Sequence, residues 1–339
     1  MKHLFNYEWK LADGYPANGI EPNGLNVFGT FICGGGSTMG YKLAGFNHLG
    51  GVEIDPKIAD VYKINHNPKY LYIEDIRDFV KRDDFPSELY NLDILDGSPP
   101  CSTFSIAGNR EKDWGKEKMF AEGQKKQRLD DLFFEYIKLA ERLQPKVVIA
   151  ENVKGLIKAN AKIYVKHIFS KFALAGYTTQ LFLLNSATMG VPQKRERVFF
   201  IARRANLHLP DIQLNYFEKP ILFKEISDNT DVTKKATPLF EKYWKRAEQG
   251  KSVGTFLSVR KIHKEKPSNT IVSTKRHWSP YFIREINNKE IIKAQSFPSD
   301  YNFNNADVNY LCGMSVPPIM TAQIANQIYL QWFKNEQKN

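Results

Sequence analysis

Cysteine is scarce in this chain of 339 residues, which has only Cys33, Cys101 and Cys312. Three cysteines argue against a disulfide framework and a cysteine-rich zinc site, and they favour a reducing compartment in which thiols stay free. The sequence has no run of about 18 uncharged apolar residues, the length that a membrane-spanning helix needs. The first ten residues lack the apolar core of a secretory signal. We therefore predict a soluble, cytoplasmic protein that uses no metal and contacts no membrane.

Negative charge is scarce in one part of the chain. The formal net charge is +11, and residues 204–280 hold 15 Lys and Arg against 8 Asp and Glu. A basic region of this kind suits contact with phosphate groups. Aromatic and basic residues alternate at 240–246 and 274–278, although such runs are also common on half-solvated helices. We expect residues 204–280 to form a smaller lobe that faces nucleic acid.

A single cysteine follows an apolar strand pattern and two prolines in the segment 93–105. Prolines fix the backbone and donate no N–H, so Pro99 and Pro100 can hold the Cys101 thiol in one orientation. A free cysteine is also common as a small buried apolar residue. The apolar run 144–150 is followed directly by Glu151, which alone could be a helix N-terminal carboxylate. Because the carboxyl ends of parallel strands meet at one crevice, Cys101 and Glu151 are expected to converge.

A glycine-rich turn follows the strand pattern at 25–32, and acidic residues end the next two strand patterns. Such a turn lets the backbone approach a ligand closely. Glu53 stands about 20 residues after the glycines, where doubly wound folds bind ribose hydroxyls. The acidic pair Glu74 and Asp75 could accept from an adenine amino group. No Gly-Lys-Ser/Thr follows the glycines, which argues against a triphosphate.

The order of these motifs resembles that of the DNA cytosine-5 methyltransferase family. The motifs are Cys-Gly-Gly-Gly-Ser from Cys33, Glu-Ile-Asp-Pro from Glu53, Ser-Pro-Pro-Cys-Ser-Thr-Phe-Ser from Ser98, Glu-Asn-Val from Glu151, Gln-Lys-Arg-Glu-Arg from Gln193, and Gly-Met-Ser-Val-Pro-Pro from Gly313. The similarity runs from Asn26 to the final helix and leaves out residues 1–24 and 204–280. The first 24 residues are expected to form an irregular surface brace.

The resemblance implies a Rossmann-like α/β fold with a doubly wound, mostly parallel sheet and a second, smaller target-recognition domain. We predict a large catalytic and cofactor-binding domain at 1–203, the small domain at 204–280, and a hinge segment at 281–306. The C-terminal segment 307–339 is expected to return to the large domain. Within it Met320, Ile324, Ile328 and Trp332 recur at helical spacing.

The family's cofactor is S-adenosylmethionine, which leaves as S-adenosylhomocysteine. The resemblance places its contacts at Phe31, Ile32, Cys33, Gly34, Glu53, Ile54, Asp75, Ile76, Pro100, Leu132 and Ser315. Two departures from the family pattern stand out. Ile32 and Cys33 replace a smaller Ala-Gly pair, and Met314 stands where the family has asparagine.

The resemblance also implies a mechanism in which the Cys101 thiolate adds to C6 of a cytosine that has been flipped out of duplex DNA. Glu151 in its acid form would donate to N3, and a closed pocket favours that form by excluding water. Nearby guanidinium groups would favour the thiolate. Arg195 and Arg197 alternate along a strand and should share a face. Arg197 is expected to reach the base or Cys101, and Arg195 and Gln193 are expected to order the site and nearby phosphate.

The sequence leaves three functions open. The first is a monomeric methyltransferase of double-stranded DNA that works beside a restriction endonuclease. The second is a tRNA cytosine-5 methyltransferase, and the third is a regulatory member that binds DNA without methylating it. The presence of Cys101, Glu151 and Arg197 argues against the third.

Overall fold

The computed structural model describes residues 3–100, 131–157, 162–228, 236–253 and 256–334. Its strands are β1 (Asn26–Thr30), β2 (Asn47–Glu53), β3 (Tyr70–Ile73), β4 (Ile94–Gly97), β5 (Val147–Val153), β6 (Tyr177–Asn185), β7 (Gln193–Lys194), β8 (Glu196–Arg204), β9 (Ser252–Val253), β10 (Phe256–Arg260) and β11 (Ser268–Asn269). Seven of them form one sheet in the order β3-β2-β1-β4-β5-β8-β6.

The five strands β1 to β5 pair in parallel, and β8 runs antiparallel between β5 and β6. The central strands are buried along nearly their whole length, as is expected where helices cover both faces of a parallel sheet. The predicted doubly wound, mostly parallel sheet is therefore confirmed. The chain reverses its strand order between β1 and β4, which creates a crevice at their carboxyl ends.

Helices pack on both faces of the sheet. The helices of the described residues are α1 (Gly36–Leu43), α2 (Pro56–His66), α3 (Ile76–Phe79), α4 (Leu132–Leu143), α5 (Lys162–Leu174), α6 (Phe223–Ile226), α7 (Pro238–Arg246), α8 (Asn288–Ala294), α9 (Val308–Met314) and α10 (Pro318–Ile328). Helix α10 continues as a π-helical turn at Tyr329–Phe333. Helices α3, α4 and α5 cover one face, while α1 and α10 cover the other. Helix α10 therefore packs on the same face as α1.

The described residues between 204 and 280 do not share one core. Ile212 and Leu214 belong to the apolar cluster of α1 and α10, whereas Phe223 and Ile262 join a third cluster with residues of α2, α8 and α9. Only a small separate cluster forms around Trp278, with α7 packed against it. The boundaries at 203 and 280 remain a prediction.

The N-terminal arm is irregular apart from one 3-10 turn at Leu11–Asp13. Phe5 is buried against the α1 and α10 face. The Trp9 indole N–H donates to the Ser296 carbonyl at 3.0 Å, and the Leu11 and Ala12 N–H groups donate to the Asp300 carboxylate. The arm therefore ties the large domain to the segment that follows α8. No helix in the described part of the chain is long and apolar enough to cross a membrane.

Candidate active site

A cavity of about 130 Å³ opens at the carboxyl ends of the parallel strands. Most of the predicted cofactor residues line it, namely Phe31, Cys33, Glu53, Ile54, Asp75, Ile76, Pro100 and Leu132. The cavity is also lined by Glu74 and Met314, and by five residues that the sequence motifs did not indicate as cofactor contacts. These five are Val52, Asp55, Ile58, Ser98 and Tyr310. Most of these five residues lie within a few positions in the sequence of a predicted cofactor contact. Tyr310 comes from α9, which only tertiary packing brings here.

The Glu53 carboxylate joins the end of β2 to the loop after β1. One oxygen accepts from the Cys33 N–H at 2.9 Å, and the other accepts from the N–H groups of Ile54 and Asp55 at 2.9 and 3.1 Å. Burial raises the pKa of this carboxyl group, and the backbone donors oppose that rise. Glu53 therefore fixes the cavity wall from which a ribose would be bound.

The turn after β1 is held in an uncommon backbone conformation. Phe31 and Cys33 have φ of 53° and 47°, in the left-handed region that side chains disfavour. A Cβ on Gly34 would lie 2.2 Å from Leu311, and one on Gly36 would lie 2.1 Å from the Val316 carbonyl oxygen. Because these two glycines have no side chain, the C-terminal segment can pack closely against this turn. Gly34, although a predicted cofactor contact, does not line the cavity.

The cavity wall is acidic. Glu53, Asp55, Glu74 and Asp75 line it, and no lysine or arginine does so among the residues described. The guanidinium groups of Arg82 and Arg77 lie 3.1 and 2.9 Å from Glu74 and Asp75. A wall of carboxylates disfavours phosphorylated nucleotides and suits a nucleoside that carries positive charge.

A smaller pocket of about 20 Å³ shares Phe31, Cys33, Ser98 and Met314 with this cavity. It contains Ile32 and Ser315, the other two predicted cofactor contacts that line a cavity, together with Asp96 of β4. The two pockets therefore adjoin across the end of β1.

A buried ion pair lies at the end of β5. The Glu151 carboxylate is 2.9 Å from the Arg197 Nε, and both side chains are mostly buried. The two residues are diagonal neighbours, because Arg197 pairs with Val153 across β5 and β8. The Asn152 amide donates to the Pro99 carbonyl at 3.1 Å, so the Glu-Asn-Val and Pro-Pro segments are joined directly. Cys101 lies outside the described residues, and Pro100, which precedes it, lines the cavity.

Arg195 makes different contacts from Arg197. Its guanidinium donates to the carbonyls of Ile271 and Gly313 at 3.1 and 2.9 Å. Burial, and next the charge of Arg197, lower the pKa of Arg195 to about 9. The described contacts of Arg195 therefore hold the C-terminal half against the sheet, while its predicted part in catalysis stays a prediction.

Gln193 makes a similar connection. Its side-chain amide donates to Ala294 and Gln295 and accepts from the Ile271 N–H. Sequence analysis expected Gln193 and Arg195 to order the site. It could not identify their partners, which are about 75 to 120 residues away in sequence.

The fold, the order of the motifs and the crevice are those of a methyltransferase-like α/β protein. The chain belongs to the C-5 cytosine-specific DNA methylase family, whose model matches residues 25–255 and 222–330.

Several relatives are named Type II methyltransferases. The chain is 36% identical over 204 residues to the Type II methyltransferase M.Sau96I of Staphylococcus aureus, which covers 59% of this chain and 44% of that protein. It is 27% identical to M1.HphI of Haemophilus parahaemolyticus over 90% of this chain and 86% of the relative. The chain spans about half the length of M.Sau96I and of the similar M.FnuDI from Fusobacterium nucleatum.

Two solved structures share the fold. One is described as a DNA modification methyltransferase encoded within an E. coli prophage; its TM-score is 0.70 at 20% identity, covering 91% of this chain and 99% of that one. The other is a mutant of DNMT2 from Spodoptera frugiperda, with a TM-score of 0.63 at 19% identity, covering 90% and 99%.

Proposed function

We propose that this protein transfers a methyl group from S-adenosylmethionine to C5 of a flipped-out cytosine in a specific sequence of duplex DNA. The observation that carries the proposal is the buried Glu151–Arg197 pair, which the Asn152 amide joins to the segment ending at Pro100. A carboxyl group and a guanidinium group thus adjoin the residue that precedes the candidate nucleophile. We further propose that the protein acts as a cytoplasmic monomer beside a restriction endonuclease, because M.Sau96I and M1.HphI are named Type II methyltransferases.

The cavity fits the cofactor's chemistry. Apolar side chains from Ile54, Ile76 and Leu132 can enclose an adenine ring, and the Glu53 carboxylate faces the position of the ribose hydroxyls. The surplus of carboxylates suits a sulfonium cation without phosphate groups. When bound, S-adenosylmethionine supplies an electrophilic methyl group.

The chain's own residues would prepare the base. C5 of cytosine becomes nucleophilic when a thiolate adds at C6, and Cys101 is the candidate for that addition. Glu151, which is paired with Arg197 as a carboxylate, would take up a proton as the base enters and give it to N3, and Arg197 would fix its orientation. Elimination of Cys101 after loss of the C5 proton would restore the aromatic ring.

The α7 helix is the best candidate for DNA contact in the basic region. None of its residues is buried, and Leu239 and Tyr243 are exposed beside Lys242 and Arg246. The inner side is anchored, since the Trp244 indole N–H donates to the Ser279 carbonyl at 2.9 Å. Basic residues on a firmly held helix can contact phosphates and set the register for base readout.

Methyl transfer to nucleic acid tests the proposal directly. The purified protein is incubated with tritiated S-adenosylmethionine and either unmethylated duplex DNA or tRNA, and we expect label in DNA only. Bisulfite sequencing of DNA from an expressing host would then identify the site. Label in tRNA alone would favour the RNA enzyme, and label in neither would support the non-catalytic alternative.

The nucleophile needs a separate measurement. Cys101→Ser should abolish transfer, because a hydroxyl is a far weaker nucleophile, and cofactor binding should persist. Duplex DNA with 5-fluorocytosine at the target should form a denaturation-resistant adduct with the unmodified protein and none with the variant. Failure to trap an adduct, with activity on ordinary DNA established, would contradict addition at C6.

A further inference from the structure

A buried carboxylate lies in the smaller pocket, on the opposite side of β1 from the acidic cavity wall. Asp96 stands near the end of β4 and is 8% exposed. Its neighbours in the pocket are neutral, among them Ser37, Thr38, Ser98 and Ser315. In the described part of the chain, Asp96 is the pocket's only charged side chain. The resemblance to known methyltransferases assigned it no role.

The carboxylate is held in place by hydrogen bonds, but it has no cationic partner among the described residues. The Tyr41 hydroxyl donates to it at 3.0 Å from α1, and Ser37 also bonds to it. Burial raises the pKa of Asp96 to about 7, and the charge of Glu151 contributes to the rise. A buried carboxylate without a countercharge is costly, so a cationic ligand group placed beside it would be favoured.

The position of the pocket indicates which ligand group that is. The two pockets adjoin, since they share four lining residues, and the nucleoside end of the proposed cofactor would lie over β2 and β3 at Glu53 and Asp75. The amino-acid end of the same molecule would then extend past the end of β1 toward β4. That end carries one ammonium and one carboxylate group. The N-terminus of α1 at Gly36 borders the pocket and suits the carboxylate, which leaves the ammonium for Asp96.

We propose that Asp96, held by Tyr41 and Ser37, binds the α-ammonium group of the cofactor's amino-acid end. This assignment rests on the proposed function and adds a cofactor-binding side chain to it. Asp96 thereby contributes to selection of a cofactor with an intact amino-acid tail over a nucleoside without one.

Calorimetry with two ligands tests the assignment. S-adenosylhomocysteine carries the ammonium group, and its desamino analogue has hydrogen in place of the amino group. We expect Asp96→Asn to weaken binding of S-adenosylhomocysteine about tenfold or more and to leave binding of the analogue nearly unchanged. The unmodified protein's preference for the first ligand would therefore shrink. Tyr41→Phe keeps the charge and should retain most of that preference.

The outcomes are distinguishable. Equal weakening of both ligands, or no change in either, would overturn the role of Asp96 while the proposed function stood. Failure of the unmodified protein to bind S-adenosylhomocysteine would instead overturn the proposed function, and this assignment with it. If Asp96→Asn did not fold, Asp96→Ser provides the test, because it also removes the carboxylate and should lower affinity for S-adenosylhomocysteine selectively.

Discussion

Replacing Gln193 by methionine should weaken the attachment of the C-terminal half to the sheet. The substitution leaves the residues that line the cavity unchanged. The Gln193 side chain is fully buried, and its amide makes three hydrogen bonds, two as donor to Ala294 and Gln295 and one as acceptor from the Ile271 N–H. Methionine has a similar size but makes none of them. Each buried polar group that loses its partner costs roughly 1–3 kcal/mol, and partial relaxation reduces the sum. We expect a loss of about 3 kcal/mol in the free energy of unfolding, which is about a hundredfold in the folding equilibrium.

Urea unfolding followed by tryptophan fluorescence measures this loss, and hydrogen exchange of the Ile271 amide locates it. Lys194→Met is the matched control, because Lys194 is the next residue of β7 and its side chain is exposed. It should leave the urea midpoint nearly unchanged. Equal midpoints for the two variants, or unaltered exchange at Ile271, would refute the view that Gln193 anchors this segment.

Three further results are expected. Glu151→Gln should slow methyl transfer by about 10²–10⁴-fold with little change in cofactor or DNA affinity, since the amide has no acidic proton to give; an unchanged rate would leave Glu151 only a structural role. Glu53→Ala should weaken S-adenosylmethionine binding tenfold or more, because three N–H groups and the ribose lose their acceptor; calorimetry showing equal affinity would remove this assignment. The double variant Lys242→Gln, Arg246→Gln should weaken DNA binding for every sequence and reduce the salt slope by about two, whereas Lys171→Gln on α5 should not; matching slopes would exclude α7 from the phosphate contacts.

The strand ends could be predicted because they depend on local patterns. An apolar run that finishes in Glu53 indicates a strand whose last side chain faces the crevice, and Glu53 does end β2 and line the cavity. The contact partner of each side chain could not be predicted in this way, because it depends on tertiary packing. Asp96 lies within a run that reads as a plain buried strand, and its hydroxyl partner Tyr41 is 55 residues away. Nothing in the local sequence indicates that contact.

The glycine-rich turn shows the same limit. A run of glycines predicts close approach of some group to the backbone, but the pattern does not identify that group. At Gly34 the approaching group is the Leu311 side chain, and at Gly36 it is the Val316 carbonyl. The late motif therefore packs into the early one. The sequence contains both motifs in order, but it does not indicate that they pack against each other.

Two arginines separated by one residue have different electrostatic surroundings. The Arg197 charge is balanced by the Glu151 carboxylate at 2.9 Å, whereas the Arg195 guanidinium donates to the neutral carbonyls of Ile271 and Gly313. The three charged groups influence one another, since both Arg197 and Glu151 affect the pKa of Arg195. Together they carry one net positive charge beside the Glu-Asn-Val segment. Because a buried positive charge is poorly screened, it would favour a thiolate at Cys101 more than an exposed arginine could. Arg195 could therefore support the proposed reaction through its field without touching the base.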